Sequence, residues 1–228
     1  MKKSKAEINS LSYSEKIDYY AHINDLISVN NGNQKTGIGC LTMSMPTITC
    51  RCDAPCKKGC YCMRGHQQFS AVQGAYYRNW RIWNEAPEKF EEQLNAILTF
   101  SGINMFRYND AGEIPDVKFL AMMFRVADKH PDIQFLAYTK KYELINEFLD
   151  DGNTLPKNLT IRFSAWDKDW NIPNPYNLPM AYVDFIDKEL NPDIPVNAFT
   201  CPGKKETTCS TCKICWKKSV KAVKFHQH

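Results

Sequence analysis

No stretch of this chain approaches the roughly 20 apolar residues that cross a bilayer as a helix. The longest uninterrupted apolar run covers only residues 119–124. The opening Met-Lys-Lys-Ser-Lys-Ala-Glu leads into polar sequence without the apolar core of a secretory signal, so a cytoplasmic protein with no membrane partner is expected. Charge of one sign is also missing: 29 Lys and Arg against 25 Asp and Glu leave a net +4, too little by itself to argue for nucleic acid. Walker A, Gly-x-Gly-x-x-Gly, Gly-x-Ser-x-Gly and zinc-protease patterns are absent, which removes support for kinase, dehydrogenase and serine-hydrolase readings. Cysteine is absent from the whole stretch between Cys62 and Cys201.

What is present is a globular composition, 43% hydrophobic and 24% charged over 228 residues, enough to bury a core. Ten cysteines stand at its two ends: six from Cys40 to Cys62 and four from Cys201 to Cys215. Disulfides are rare in a reducing compartment, so two tight groups read as metal or iron–sulfur sites.

Between those groups, the hydrophobic period alternates between two and 3.6 residues. A helix is expected over 14–28, and alternation of Leu41, Met43 and Met45 suggests a strand ending at Pro46. Helices follow over 68–84 and 88–99. Then come a strand at 104–108, a helix at 116–129, a strand at 133–139, a helix at 143–149 and a strand at 158–165. Shorter strands are expected at 181–185 and 196–200. This order indicates right-handed βαβ units. The fold expected is α/β, a partial (β/α) barrel of about six mostly parallel strands with a small C-terminal cysteine-rich module. Its divisions are an N-terminal helical arm over 1–36, the barrel core over 37–199, and a four-cysteine module with a basic tail over 200–228.

Sites in such folds lie at the carboxyl ends of strands. There the sequence places the first cysteine loop, the turn 109–113, the run Tyr138-Thr139-Lys140-Lys141, and the polar stretch beginning at Ser164. Asp110 and Glu113 are candidates for a catalytic carboxylate pair, or for a strand-end turn in which Asp110 bonds backbone. Thiolates are soft ligands for iron–sulfur clusters or zinc. Cys50, Cys56 and Cys60 would hold three irons of a [4Fe–4S] cube and leave the fourth open, with Lys57, Lys58 and Arg64 offsetting the negative charge. Cys201-Pro202 with Cys209, Cys212 and Cys215 matches the spacing of a bacterial ferredoxin loop and describes a closed site; zinc is the alternative there. Lys204, Lys205, Lys213, Lys217, Lys218, Lys221 and Lys224, with Trp216 and Phe225, read either as a nucleic-acid contact or as a solvated basic tail.

The run Met43-Ser44-Met45-Pro46, Thr49-Cys50, Cys56 and Cys60-Tyr61 resembles a family of bacteriophage proteins called after gene product eighty-eight. So do Phe69, Val72, Arg78-Asn79, the loop 106–113, residues 135–140, Phe163-Ser164-Ala165, and the pattern Cys201-Pro202, Cys209, Cys212, Cys215-Trp216. The resemblance covers about residues 35–216 and implies a phage or prophage origin and metal-binding cysteines. Cys40, Cys52 and Cys62 lie outside its pattern. At one remove the order is similar to that of radical S-adenosylmethionine (SAM) enzymes, which carry a three-cysteine loop after the first strand and a Gly-Gly-Glu motif after the second. Ala111-Gly112-Glu113 stands at the second position. That likeness implies a SAM site in which Gly112 and Glu113 face the SAM amino group, with Tyr61 supplying an aromatic beside the cluster and Ser164 a polar group from the fourth strand. The spacing departs from those enzymes, which use three then two residues: Cys50-Cys56-Cys60 gives five then three, and Cys56-Cys60-Cys62 gives three then one.

Overall fold

The computed structural model describes residues 2–203 and 207–227, the side chain of Lys58 excepted. Lys204 and Lys205, counted above in the basic tail, lie outside the described residues, as does the Lys58 side chain named for charge compensation.

The chain is mixed α/β. Among the described residues eight strands form one sheet: β1 (Val29–Asn31), β2 (Cys40–Met43), β3 (Met105–Tyr108), β4 (Gln134–Thr139), β5 (Leu159–Ala165), β6 (Met180–Asp184), β7 (Phe199–Thr200) and β8 (Ala222–His226). Their spatial order is β1-β2-β3-β4-β5-β6-β8-β7, and every pairing is parallel except that of β1 with β2. All six expected strands are present. Two more join them. Both flanking segments reach the sheet: 1–36, read as a helical arm, supplies β1, while 200–228, read as a cysteine module with a basic tail, supplies β8.

The helices are α1 (Lys5–Ser10), α2 (Tyr13–Ala21), α3 (Ser70–Glu85), α4 (Pro87–Phe100), α5 (Val117–Lys129), α6 (Tyr142–Asp150) and the single turn α7 (Cys209–Cys212). The N-terminal arm thus holds two short helices in place of one over 14–28. Each opens on a capping box, Ser4 with Glu7 and Ser12 with Glu15, which satisfies amides that have no partner within the helix. Past Ala21 the amides of Ile27 and Ser28 are instead taken by Gln93 and Asn79, so the chain leaves the helix to lie along α3 and α4.

Strands β2 to β6 follow one another in sequence order. Right-handed crossovers that all step in one direction place their helices on one face of the sheet. The main core lies on that face: Leu41, Met43, Phe106, Tyr108, Phe135, Ile161 and Phe163 pack against Phe90, Leu94, Phe119, Met123 and Phe148. Helix α5 is fixed by Asp116, whose carboxylate accepts the Phe119 amide at 2.8 Å and the Trp83 indole N–H at 2.9 Å. Residues of the opposite parity, Cys40, Met105 and Leu136, form a second small cluster with Trp216. The C-terminal segment therefore covers the other face of the sheet.

Candidate functional site

A cavity of about 710 Å³ opens at the carboxyl ends of the strands. Every residue that sequence reasoning nominated as a catalytic, cofactor-binding or metal-binding group lines it, whereas Lys57, Lys217, Lys218, Lys221 and Lys224 do not. From the first group come Cys50, Cys56, Cys60 and Tyr61, and from the turn after β3 come Asp110, Gly112 and Glu113. Ser164 on β5 and Cys201, Cys209, Cys212 and Cys215 complete the set. The two cysteine groups, far apart in sequence, share one space.

The first cysteine loop is a succession of 3₁₀ turns, Thr47–Thr49, Pro55–Gly59, Tyr61–Met63 and Gly65–Gln68. Arg51 fastens it to α6 through Glu143 at 2.6 Å and to the Lys140 carbonyl at 3.3 Å, with its guanidinium over the Trp170 ring. Burial pushes the Cys50 thiol up to about 12, and burial raises Cys56 as well; the Lys140 ammonium facing both thiols opposes the rise. Cys60 is pulled down to about 6, chiefly by the neighbouring Cys62 thiol, while Cys62 is raised. Lys140 rests over the Trp166 ring at 5.3 Å, so the run Trp166–Trp170 places each tryptophan against a cation beside this loop. Tyr61 is 42% exposed, yet its hydroxyl points inward toward Asp110 and Arg107, and burial raises its pKa.

The turn after β3 is bound tightly to its surroundings. Asp110 pairs with Arg107 at 3.0 Å and accepts from the Asn33 amide at 3.3 Å. Glu113 is buried, and its carboxylate accepts the Thr139 hydroxyl at 2.7 Å and the Lys140 backbone amide at 2.8 Å. Gly112 has φ +76°, and a Cβ there would stand 2.4 Å from the Met45 carbonyl oxygen, so only glycine fits. Asn109, buried and left-handed at φ +52°, keeps both side-chain amide atoms without a partner. The carboxylates proposed as an acid–base pair are thus both engaged in holding this turn.

The second group is seated on the sheet. The amides of Cys209 and Ser210 donate to the carbonyls of Lys35 and Thr36, each at 2.9 Å. Gly37 makes room: a Cβ there would meet the Ser210 hydroxyl at 2.4 Å. Thr160 donates to the Trp216 carbonyl at 2.7 Å, and the fully buried Arg162 donates to the Cys215 carbonyl at 2.7 Å. Burial pushes the Cys209 thiol up to about 11, opposed by Arg107 and Lys35. Burial also raises Cys215, opposed by the Tyr138 hydroxyl and Arg162. Cys40, buried in the floor formed by β2, packs in the same cluster as Cys209 and Cys215.

The basic tail is structured. Lys218 and Lys221 turn their ammonium groups onto the carbonyls of Pro156 and Asn177, and Lys35 lies over the Phe225 ring at 5.2 Å. Among the described residues, no three His, Cys, Asp or Glu side chains form a metal-binding group as they stand. No helix there is long and apolar enough to cross a membrane. In donor chemistry the cysteines fit a metal–thiolate centre: both sets offer soft sulfur ligands, and cations on or next to the strands bring positive charge to each, Lys140 to the first and Arg107, Lys35 and Arg162 to the second. Lys35, Arg107 and Arg162 escaped sequence reasoning, although the strand alternation that turns Arg107, Tyr138 and Arg162 to one face was legible; Lys140 stands in the strand-end run read from the sequence, and Cys40 counts with the first cysteine group.

The family model described as Gene product 88 matches residues 21–218. No curated protein and no solved structure matches this chain.

Proposed function

The chain belongs to the Gene product 88 family, and from its site we propose a phage-type iron–sulfur protein, acting in the host cytoplasm, whose two cysteine groups serve one reaction chamber. The observation that carries this reading is their convergence, with the Gly112–Glu113 turn, on a single cavity at the strand ends. We read the sheet as a partial barrel: β2 to β6 follow in sequence order, the main helices share one face, and the opposite face carries Arg107, Tyr138 and Arg162 beside the small cluster around Trp216.

Cys50, Cys56 and Cys60 would hold a [4Fe–4S] cluster, and Cys201, Cys209, Cys212 and Cys215 a second cluster or zinc. When bound, a cluster with one iron free of cysteine supplies a coordination site and an electron for SAM-type chemistry. The chain's own residues do the rest. Lys140 offsets thiolate charge at the first group, and Trp166 and Trp170 hold the neighbouring cations. Glu113 keeps the turn against β4, with the backbone on either side of Gly112 bonded to Met43, Ser44, Met45 and Thr49.

A non-catalytic iron–sulfur or zinc protein is the second reading. It is favoured by the carboxylates of Asp110 and Glu113, which are spent on structural bonds. Elemental analysis of anaerobically purified protein tests the first reading. Four to eight irons per chain are expected, about four per cubane. Stoichiometric zinc without iron, after expression with iron supplied, would sink the iron–sulfur reading and leave the second.

A further inference from the structure

Arg162 sits in the middle of β5, fully buried, on the face of the sheet away from the helical core. All five of its N–H groups are used. Nε donates to the Cys215 carbonyl at 2.7 Å; Nη1 donates to Val220 at 2.9 Å and Met180 at 3.5 Å; Nη2 donates to Lys217 at 3.0 Å and Ile214 at 3.4 Å. Four of those five carbonyls belong to the turn 214–220 that follows Cys212 and contains Cys215. Hydrogen bonding is therefore complete, yet charge is not. None of the ion pairs among the described residues involves Arg162. Arginine stays protonated in proteins, and a buried charge without a counter-charge is costly. The ionisable groups that border this cation are the Tyr138 hydroxyl, neutral at ordinary pH, and the Cys215 thiol, which neighbour each other.

Four thiolates around Zn²⁺ or a [4Fe–4S]²⁺ cube both make a dianion, so either would supply the missing charge. Resting on the reading that the C-terminal cysteines hold a metal, we propose that Arg162 is the positioning residue and buried counter-charge of that centre. Its guanidinium folds the turn that presents Cys215 and neutralises the anion formed there when the thiols lose their protons to the metal. Thr160, which donates to the Trp216 carbonyl, holds the same turn without contributing charge. The pair separates geometry from electrostatics.

The test uses the full chain, prepared metal-free under reducing, anaerobic conditions and titrated with Co²⁺, whose thiolate charge-transfer band reports cysteine ligation. The part of that band lost in Cys215→Ser marks the C-terminal site. Arg162→Met should weaken Co²⁺ binding at that site by about 10- to 100-fold, the usual effect of removing an outer-shell partner. Arg162→Lys should restore most of the affinity. Thr160→Val should speed amide exchange over 214–220 while leaving the affinity near that of the unaltered chain. If circular dichroism shows that Arg162→Met does not fold, Arg162→Gln against Arg162→Lys carries the same comparison. An Arg162→Met or Arg162→Gln protein that binds Co²⁺ as tightly as the unaltered chain overturns the proposal. So does a Thr160→Val protein that loses as much affinity as the charge-removing variant, because geometry alone would then account for the effect. An unaltered chain with no band sensitive to Cys215→Ser overturns the metal reading itself, a result distinct from either of those.

Discussion

The Glu113 carboxylate accepts the backbone amide of Lys140 at 2.8 Å. This bond fastens the turn after β3 to the end of β4, the strand whose last residues direct the Lys140 ammonium at the first cysteine loop. A second oxygen of the same carboxylate takes the Thr139 hydroxyl at 2.7 Å, and the Glu113 amide donates to Thr49 Oγ1 at 2.9 Å. One residue thus joins the cysteine loop, the β3 turn and β4.

Glu113→Gln should therefore cost stability whatever else it does. Gln keeps one acceptor and replaces the other with a donor, so the Thr139 and Lys140 bonds cannot both be kept with their ionic character. Hydrogen bonds to charged groups contribute about 1.5–3 kcal/mol. For a chain of this size, a drop in Tm of roughly 2–4 °C for each kcal/mol is expected. Differential scanning calorimetry at neutral pH checks it; an unchanged Tm would mean that the carboxylate is free for a ligand.

Gly112→Ala should be more damaging than an ordinary loop substitution. The residue lies at φ +76°, and its new Cβ would press on the Met45 backbone, which cannot rotate away as a side chain could. Left-handed strain alone costs about 1–3 kcal/mol. The steric term adds to it, so urea unfolding should show a loss above about 2 kcal/mol. A loss below about 0.5 kcal/mol, the range of neutral surface changes, would show that the turn relaxes freely.

Much of this architecture was legible because its signals are local. Alternation at Leu41, Met43 and Met45, and the apolar faces of α5 and α6, fix element type within a residue or two. The capping boxes at Ser4–Glu7 and Ser12–Glu15 were equally local and mark the two short helices that replace one long one. Strand β8 was hidden by composition: Lys224 and His226 mask an alternating Ala222-Val223-Lys224-Phe225-His226, and its partners β6 and β7 are remote in sequence. Site residues were found wherever their chemistry is unusual, as with cysteine. Arg107 and Arg162 were missed because a strand arginine carries no signal until the sheet shows which face it occupies and what it meets there.

Val223→Ala tests whether the tail belongs to the fold. Val223 is completely buried between β6 and β7 and is paired with Ala181 and Phe199. Burying a valine side chain is worth about 1.5–3 kcal/mol, of which the alanine keeps a part, so a loss of about 1 kcal/mol or more is expected. A tail that only frays into solvent would show no change in urea midpoint. Amide exchange over 222–226, protected in the unaltered chain, should quicken in the variant.

The cavity makes its sharpest claim at the first cysteine group. Cys50, Cys56 and Cys60 are partly buried, face one cation and open into the space bordered by Gly112. If they hold a cube with one iron free, that cluster would supply a coordination site and, with dithionite as reductant, the electron for reductive cleavage of SAM to methionine and, after hydrogen transfer from a donor, 5′-deoxyadenosine. Chromatography of the reduced, iron-loaded protein with SAM should show 5′-deoxyadenosine. Cys56→Ser should abolish it because one ligand of the cube is gone. Cys212→Ser should spare it if the second group serves structure, and reduce it if that group relays electrons across the shared cavity. Iron-loaded protein that yields no 5′-deoxyadenosine, and whose paramagnetic resonance spectrum SAM leaves unaltered, would assign the first group to a role without SAM chemistry.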